Sequence, residues 1–147
     1  MAVTSGLVSV FSSHKIIFID TNVFIYALED NPNFPAAKEI FRLIKEKHKE
    51  TYTSVISLLE ASVKLFDLGQ KEKIEEYLNF ISGHGLIQIL DINKSVSIKA
   101  AEIRSKYRFK TPDSIQLAAA ILARATLFIT ADRDFVKKAE NLEILVI

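Results

Sequence analysis

The sequence has no cysteine, and this absence excludes several kinds of chemistry. Disulfide bonds, thiolate nucleophiles and cysteine-based zinc sites cannot form in these 147 residues. A chain without cysteine fits a reducing compartment, so we expect a cytoplasmic location. No apolar run approaches the roughly 18 to 20 residues that a membrane-spanning helix needs, and the first residues lack the Lys or Arg that opens a signal peptide. We therefore expect neither export nor a membrane partner.

Glycine and net charge are also low. Residues 20 to 29 contain no glycine, so the Gly-rich phosphate turn of a Rossmann or P-loop nucleotide-binding fold is missing after the first predicted strand. The formal net charge is only +1, so any contact with nucleic acid must come from a local patch. Hydrophobic residues make up 49% and charged residues 25%, which excludes a disordered or low-complexity polymer. One globular domain is expected.

Predicted strands and helices alternate along the chain. Runs of β-branched and aromatic residues predict strands over residues 15–20, 51–53, 85–92, 126–130 and 142–147. Apolar residues at helical spacing predict helices over residues 21–29, 34–49, 54–69, 71–81, 93–106, 111–125 and 132–140. This alternation favours a mainly parallel sheet of four to five strands with helices on both faces.

The domain boundary is expected at residue 15, so that residues 15–147 form a single domain. Residues 1–14 are small, Ser-rich and weakly apolar, and they read as an N-terminal extension: a loose arm, an extra edge strand or a remnant of cloning. The apolar stripes of helices 36–47 and 72–81 are expected in the core, or partly in a dimer interface.

The helix over residues 54–69 carries an apolar residue every three to four positions: Ile56, Leu59, Val63 and Phe66. This spacing predicts that one face of the helix packs against the core. Glu60 lies about two turns into the helix, next to this face. We therefore expect its carboxylate at the border of the buried side.

Other acidic residues follow the predicted strands. Asp20 comes directly after the first strand, Asp132 and Asp134 come just after the strand over 126–130, and Asp113 lies in the first turn of a helix. In open parallel sheets, ligands bind beyond the carboxyl ends of the strands. The sequence therefore predicts that separate elements bring acids to one edge.

Carboxylates that converge in a partly dry pocket repel one another, and a divalent cation is the natural compensation. Oxygen ligands without Cys or a nearby His favour Mg²⁺ or Mn²⁺ over zinc. Such an ion ionises water for in-line attack on a phosphodiester, which is nuclease chemistry. Asn22 and Thr130, each two residues from an acid, are candidates to hold a metal-bound water or a phosphate oxygen.

Four segments resemble, in order, the motifs of PIN domains: DTN at 20–22, SVISLLE at 54–60, TPDSIQLAAA at 111–120 and TADRDF at 130–135. The resemblance spans most of residues 15–147. It implies a three-layer α/β/α sandwich and endoribonuclease activity. Stand-alone PIN domains of this size in prokaryotes are often VapC-type toxins, which are inhibited by a small antitoxin and commonly form dimers. The implied partners are RNA, an antitoxin and a second copy of the chain.

The resemblance also assigns the site residues. It implies a Mg²⁺ or Mn²⁺ site made by Asp20, Glu60, Asp113 and Asp132, with Asp134 contributing in some members. All four principal acids of the family pattern are present in this sequence.

A basic segment precedes Asp113 and interleaves cations with aromatic residues: Arg104, Lys106, Tyr107, Arg108, Phe109 and Lys110. This composition is typical of surfaces that contact phosphates and stack on unpaired bases, so the four basic residues are candidates for RNA binding. The alternative is a solvated helix end, where basic residues are favoured by the helix dipole.

Alternatives to the nuclease remain open. The fold is compatible with a non-catalytic RNA- or protein-binding domain, and with an RNA-processing nuclease that is not a toxin. An aspartyl phosphatase would carry a second Asp where this chain has Asn22. Taken singly, Asp113 is explained as a helix N-terminal acid, Asp132 as a helix cap, and Glu60 as a partner of Lys64.

Overall fold

The computed structural model describes residues 2–135 and 139–147. The first half contains α1 (Ala2–Ser13), β1 (Ile16–Ile19), α2 (Thr21–Leu28), α3 (Ala36–Lys47), β2 (Glu50–Ser54) and α4 (Val55–Asp67). The second half contains α5 (Ile74–Ile81), β3 (Ile87–Leu90), α6 (Lys94–Tyr107), α7 (Thr111–Leu122), β4 (Leu127–Thr130) and β5 (Glu143–Val146). The predicted alternation of strands and helices is confirmed. No helix in these two ranges has the length and apolar character needed to cross a membrane.

The sheet has five strands in the order β3-β2-β1-β4-β5, and every neighbouring pair is parallel. The prediction of a parallel sheet of four to five strands is confirmed. The chain moves outward from β1 through β2 to β3, and then crosses to the other side of β1 for β4 and β5. The carboxyl ends of β1 and β4 therefore flank a switch point in the topology, where open parallel sheets bind ligands.

The central strands are apolar on both faces because helices cover both sides of the sheet. Ile17 and Ile19 of β1 point to one hydrophobic cluster, whereas Phe18 points to the other and stacks on Phe128 of β4, with ring centroids 5.4 Å apart. All of these side chains are fully buried. The continuous apolar run predicted for β1 is thus explained by burial on both faces.

Each face of the sheet has its own helical layer. On one face, the cluster includes Leu7 and Phe11 of α1, Phe24 of α2, Ile40 and Leu43 of α3, Ala61 of α4 and Ile81 of α5. On the other face, it includes Val96 and Ile103 of α6 and Leu117 of α7. The three-layer α/β/α sandwich is confirmed, and the apolar stripe of α3 belongs to the core.

The N-terminal segment is a helix that packs on the domain. Leu7 and Phe11, one turn apart, are both buried in the core. His14 then fastens the end of α1 to the sheet, since its two ring nitrogens lie 2.8 Å from Thr126 Oγ1 and 2.9 Å from Glu143 Oε2. The expectation of a loose arm or an edge strand was wrong for residues 2–13, because α1 covers apolar surface of the first cluster.

Helix α4 turns a different face to the core than its sequence predicts. The buried residues are Ser57, Ala61 and Leu65. Three of the four residues of the predicted core face are instead exposed: Leu59 by 56%, Val63 by 50% and Phe66 by 60%. The prediction was wrong because the small residues at 57 and 61 let α4 approach its neighbours closely, which a Leu or Phe would prevent. We call Leu59, Val63 and Phe66 the apolar row.

The segment after β4 differs from the predicted helix over residues 132–140. Arg133–Phe135 form a single 3₁₀ turn, and Ala139 pairs with Leu142 in an isolated antiparallel bridge. The middle of the predicted helix, residues 136–138, lies outside the described residues. Phe135 is fully buried against Phe128, so this turn is anchored to the second cluster.

Candidate metal centre

Asp20 lies at the end of β1, where its carboxyl is buried and hydrogen-bonded on both oxygens. Thr130 Oγ1 donates to Oδ2 at 2.7 Å, while the backbone N–H of Thr21 and the amide of Gln116 donate to Oδ1 at 2.9 and 3.3 Å. Burial raises the pKa of Asp20 to about 6, the hydrogen bonds from Thr130, Thr21 and Gln116 oppose this rise, and the charge of Glu60 adds to it. The ionised carboxylate is therefore poorly compensated.

Asp113 lies in the first turn of α7 and is half-buried. Desolvation raises its pKa to about 6, and the negative charges of Asp20, Asp132 and Glu60 raise it as well, while Lys110 lowers it. The four acids predicted from the sequence are thus close enough to act on one another. They come from the ends of β1 and β4, from the second turn of α4 and from the first turn of α7.

Glu60 reaches the same place from the surface of α4. Glu60 is exposed to solvent, but Thr21 Oγ1 donates a hydrogen bond to Glu60 Oε1 at 2.9 Å. The alternative pairing with Lys64 is wrong in the described structure, where Lys64 contacts Glu29 instead. Glu60 is less buried than predicted because the adjacent apolar row faces solvent.

Thr130 joins two of the acids. Its hydroxyl donates to Asp20 and accepts the backbone N–H of Asp132 at 3.0 Å. The Asp132 carboxylate accepts the backbone N–H of Asp134 at 2.9 Å, so it also caps the short turn that follows, as the cap alternative proposed. Asp134 itself is exposed and is not one of the carboxylates that act on Asp113. Its place among the ligands stays a prediction.

Asn22 acts on the backbone beside the acids. Its side-chain oxygen accepts the N–H of Ala131 at 3.0 Å, which ties the first turn of α2 to the end of β4. This contact keeps the chain segments that carry Asp20 and Asp132 together. That Asn22 also holds a metal-bound water or a phosphate oxygen stays a prediction.

The acids lie close together, but they are not arranged as a complete set of metal ligands. In residues 2–135 and 139–147, no three His, Cys, Asp or Glu side chains are placed so that they could hold a metal ion. The donor set nevertheless consists of carboxylate oxygens, and burial together with nearby negative charge raises the pKa values of Asp20 and Asp113. A hard divalent cation would relieve both effects. The residues therefore fit such an ion by the chemistry of their donor atoms.

A buried polar cluster beside the acids was missed in the sequence. Gln116 is 1% exposed and contacts Asp20, while Ser54, Ser57 and Thr53 are fully buried around it. One feature of the sequence could have identified Gln116. It is a single amide in a helix, and the residues that follow it are apolar on every side. For Ser57 there was none, because α4 was assigned the wrong buried face.

The basic segment before α7 is exposed in all four of its candidate residues: Arg104, Lys106, Arg108 and Lys110. Phe109 is only 7% exposed and stacks on Phe135 in the core, so the expectation that it stacks on bases is wrong. Tyr107 is half-buried, and its hydroxyl accepts the N–H of Glu140. Contact with RNA through the cations stays a prediction.

Comparisons with known proteins bear on the family and the fold of the chain. A family model described as the PIN domain matches residues 17–141, which include all four acids. A search of curated proteins found no match.

Three solved structures are similar to the chain. A toxin–antitoxin complex from Klebsiella pneumoniae is 24% identical, with 81% of this chain and 89% of that chain covered and a TM-score of 0.60. VapBC2 from Rickettsia felis, bound to a DNA fragment from its promoter, is 20% identical over 89% and 98%, with a TM-score of 0.70. DNA-bound VapBC from Salmonella typhimurium is 20% identical over 88% and 96%, with a TM-score of 0.62. At these identities the similarity shows a shared fold.

Proposed function

Because the chain belongs to the PIN-domain family, we propose that it is a divalent-metal-dependent endoribonuclease. One observation carries the proposal: acids from four different elements meet at one edge of the sheet. Thr21 hydrogen-bonds both Asp20 and Glu60, and Thr130 hydrogen-bonds both Asp20 and the backbone of Asp132. The charges of these three acids also raise the pKa of Asp113. A fold gains no stability from gathering like charges. Such a cluster at the switch point of a parallel sheet is the arrangement expected of a metal site.

The proposed ligands of Mg²⁺ or Mn²⁺ are Asp20, Glu60, Asp113 and Asp132, with Asp134 as an additional candidate. When bound, the cation polarises a phosphodiester oxygen and lowers the pKa of a water molecule for in-line attack. The chain itself holds two of the ligands in place. Thr130 donates to Asp20 and Thr21 donates to Glu60, so neither carboxylate is free to turn away from the site.

The substrate is proposed to be single-stranded or loop RNA, which the cell presents in the cytoplasm. Four exposed cations precede α7: Arg104, Lys106, Arg108 and Lys110. Of these, Lys110 is close enough to lower the pKa of Asp113. These residues would neutralise backbone phosphates on either side of the cleaved bond, and the affinity for RNA should then fall with rising salt.

The direct test is cleavage of a labelled structured RNA with Mg²⁺ or Mn²⁺. We expect cleavage by the wild-type protein, none in EDTA, and a loss of at least about 100-fold in Asp113→Asn, since one acid of the cluster is neutralised. Asp67→Asn is the matched control, because Asp67 is an exposed acid at the far end of α4. This variant should cut like the wild type.

The competing function is a non-catalytic PIN-fold domain that binds RNA or a protein. One observation favours this alternative: the described acids are not arranged as a complete set of metal ligands. A folded wild-type protein that binds the RNA without cutting it, with either metal, would contradict the nuclease and favour this alternative.

We further propose that the nuclease is the toxin of a toxin–antitoxin pair, inhibited by a small antitoxin. The support is that three structures with this fold are titled as toxin–antitoxin or VapBC complexes. Expression of the wild-type chain in a bacterial host should arrest growth, and Asp113→Asn should not. Metal-dependent cleavage in vitro without growth arrest would instead favour an RNA-processing nuclease.

A homodimer is proposed as the working assembly. The apolar row of α4 supports it, because three large apolar side chains on one helix face are unusual on the surface of a monomer. A helix face of this kind packs on its own copy about a two-fold axis. The row starts next to Glu60, so the dimer surface would lie beside the metal site.

A further inference from the structure

Gln116 is the largest polar side chain buried at the site, and its neighbours determine how its amide points. It is 1% exposed, and the four residues that follow it in α7 are buried and apolar. Ser54 Oγ accepts the backbone N–H of Ile56 at 3.1 Å, so its own proton is donated to Gln116 Oε1. The amide oxygen therefore faces Ser54, and the NH₂ group faces the acids.

The NH₂ group has two protons and buried acceptors near both. Gln116 Nε2 lies 3.0 Å from Ser57 Oγ and 3.3 Å from Asp20 Oδ1. Thr21 Oγ1, at 3.4 Å, is a weaker third acceptor. A donor with two protons in this place supplies one hydrogen bond to Asp20 and one to the hydroxyl of Ser57.

The hydroxyl of Ser57 donates its hydrogen bond to Thr53 and not to one of the acids. Thr53 Oγ1 donates to the carbonyl of Ile19 at 2.8 Å, so it has no second proton for Ser57. The 2.7 Å contact between Ser57 Oγ and Thr53 Oγ1 is therefore a bond that Ser57 donates. Ser57 then accepts from Gln116.

Because Ser57 donates to Thr53 and accepts from Gln116, the hydroxyl proton of Thr21 is available to Glu60. Thr21 Oγ1 lies 2.9 Å from Glu60 Oε1 and 3.1 Å from Ser57 Oγ, but its single proton serves only one of them. Since Ser57 already accepts from Gln116, the shorter contact to the charged carboxylate is favoured. One amide thereby donates to Asp20 directly, and its weaker contact to Thr21 Oγ1 at 3.4 Å leads to the hydrogen bond that Thr21 donates to Glu60.

We propose that Gln116 is a positioning residue, whose amide fixes the direction of this hydrogen-bond chain and so holds Asp20 and Glu60 in the orientation that binds the cation. The inference rests on the proposed function, because it takes these two acids as metal ligands. Gln116 itself does not touch substrate or metal. In the described residues, no buried side-chain nitrogen or oxygen lacks a hydrogen-bond partner, so the hydrogen bonds around Gln116 are fully satisfied.

The test uses Gln116→Leu, which keeps the size of the side chain but removes both donors and the acceptor. We expect the midpoint of a Mn²⁺ titration, followed by the rise in melting temperature, to increase by roughly 10- to 100-fold. The kcat for RNA cleavage should fall in the same range, while KM for RNA changes little. If Gln116→Leu does not fold, Ser54→Ala removes the donor that orients the amide, and its midpoint should rise in the same direction.

Thr51→Val is the matched control. Thr51 is also buried, at 2%, and its hydroxyl donates to Lys49 O at 2.9 Å, but it lies near the opposite end of β2 from the acids. It therefore loses a buried hydrogen bond without touching the site. A Mn²⁺ midpoint and kcat in Gln116→Leu equal to those of Thr51→Val would overturn the inference and leave the proposed nuclease intact.

A second readout needs neither metal nor activity. In the metal-free protein, NMR should show the side-chain NH₂ protons of Gln116 exchanging with water far more slowly than those of Gln88, which is exposed on β3. Equally fast exchange would overturn the inference even if RNA is cut. Slow exchange in a protein that neither binds Mn²⁺ nor cuts RNA would place the amide as described, but would reject the proposed function and the metal-positioning role with it.

Discussion

At Asp20 two physical effects act on one carboxyl in opposite directions. Burial favours the neutral acid, whereas the hydrogen bonds from Thr130, Thr21 and Gln116 favour the ionised form, and burial is the larger effect because the pKa is raised to about 6. Asp113 shifts in the same direction, with the nearby carboxylates adding to its desolvation. The ionised site therefore costs the metal-free fold stability.

This cost predicts an unusual pH dependence of stability without metal. In the unfolded chain the two carboxyls titrate near their ordinary pKa of 3.8, and in the folded protein the pKa is about 6. Between these values the folded state holds protons that the unfolded state has released, so their contribution to the free energy of unfolding falls as pH rises from about 4 to about 6, and is then constant.

The measurement is urea unfolding in EDTA across this range. The double variant Asp20→Asn/Asp113→Asn lacks both groups, so its stability relative to the wild type should increase as the pH rises and then level off. A difference between the two proteins that is independent of pH would contradict the shifts described at these residues.

A divalent cation should reverse the cost at the same residues. Mn²⁺ or Mg²⁺ that binds the folded state should raise the melting temperature with increasing metal concentration. Asp20→Asn should abolish most of this rise, since it removes a buried ligand, whereas Asp67→Asn should keep it. A wild-type melting temperature that does not respond to either metal would contradict the metal site.

At the scale of elements, α1 is predicted to be part of the core and not an appendage. Leu7→Ala should lower the free energy of unfolding by about 2 to 5 kcal/mol, because Leu7 is buried in the first cluster. Leu122→Ala is the matched control, since Leu122 is 46% exposed, and should change stability by less than about 0.5 kcal/mol. Chemical unfolding measures both. Equal and small effects would show that α1 is dispensable.

Helix α4 shows why an element can be predicted correctly and oriented wrongly. Its bounds follow from the sequence, since Ser54 caps its first turn by accepting the N–H of Ile56. Its buried face does not, because the spacing of large apolar residues marks the apolar row while the core takes Ser57 and Ala61. Hydrophobic periodicity reports which residues share a face, and the partner elements decide whether that face is covered.

At the scale of the whole molecule, the apolar row predicts association. Phe66→Glu places a charge in the row and should convert the proposed dimer to a monomer in sedimentation velocity, because burying an unpaired carboxylate in an interface is costly. Leu122→Glu introduces the same charge at a separate exposed leucine and should leave the dimer intact. A wild-type protein that is monomeric at all concentrations, or a dimer that survives Phe66→Glu, would contradict this interface.

The topology explains how distant acids become neighbours. β1 and β4 are adjacent and parallel, with Ile19 opposite Ile129, so the residues that follow them, Asp20 and Asp132, emerge side by side. Helices α4 and α7 then bring Glu60 and Asp113 to the same edge. Sequence separation is irrelevant once the strand order is set.

The sequence by itself determined most of the elements, the parallel sheet and the four acids proposed for the site, but not α1 or the segment after β4. These follow from local rules: apolar runs for buried strands, helical spacing, and carboxylates at the ends of strands. Asp20, Asp113 and Asp132 are recognisable because each stands at the boundary of an element, where its position relative to the sheet edge is known before the sheet is seen.

Only the tertiary structure decided what fills the space around those acids. Phe109 stands in the basic segment yet is buried against Phe135, and Gln116 stands in an apolar helix yet donates to Asp20. Whether Ser57 is a surface serine or a link between Gln116 and Thr53 depends on which face of α4 meets α7. Such contacts join residues from different elements, and burial and hydrogen bonding between elements are set by packing, which no local pattern records.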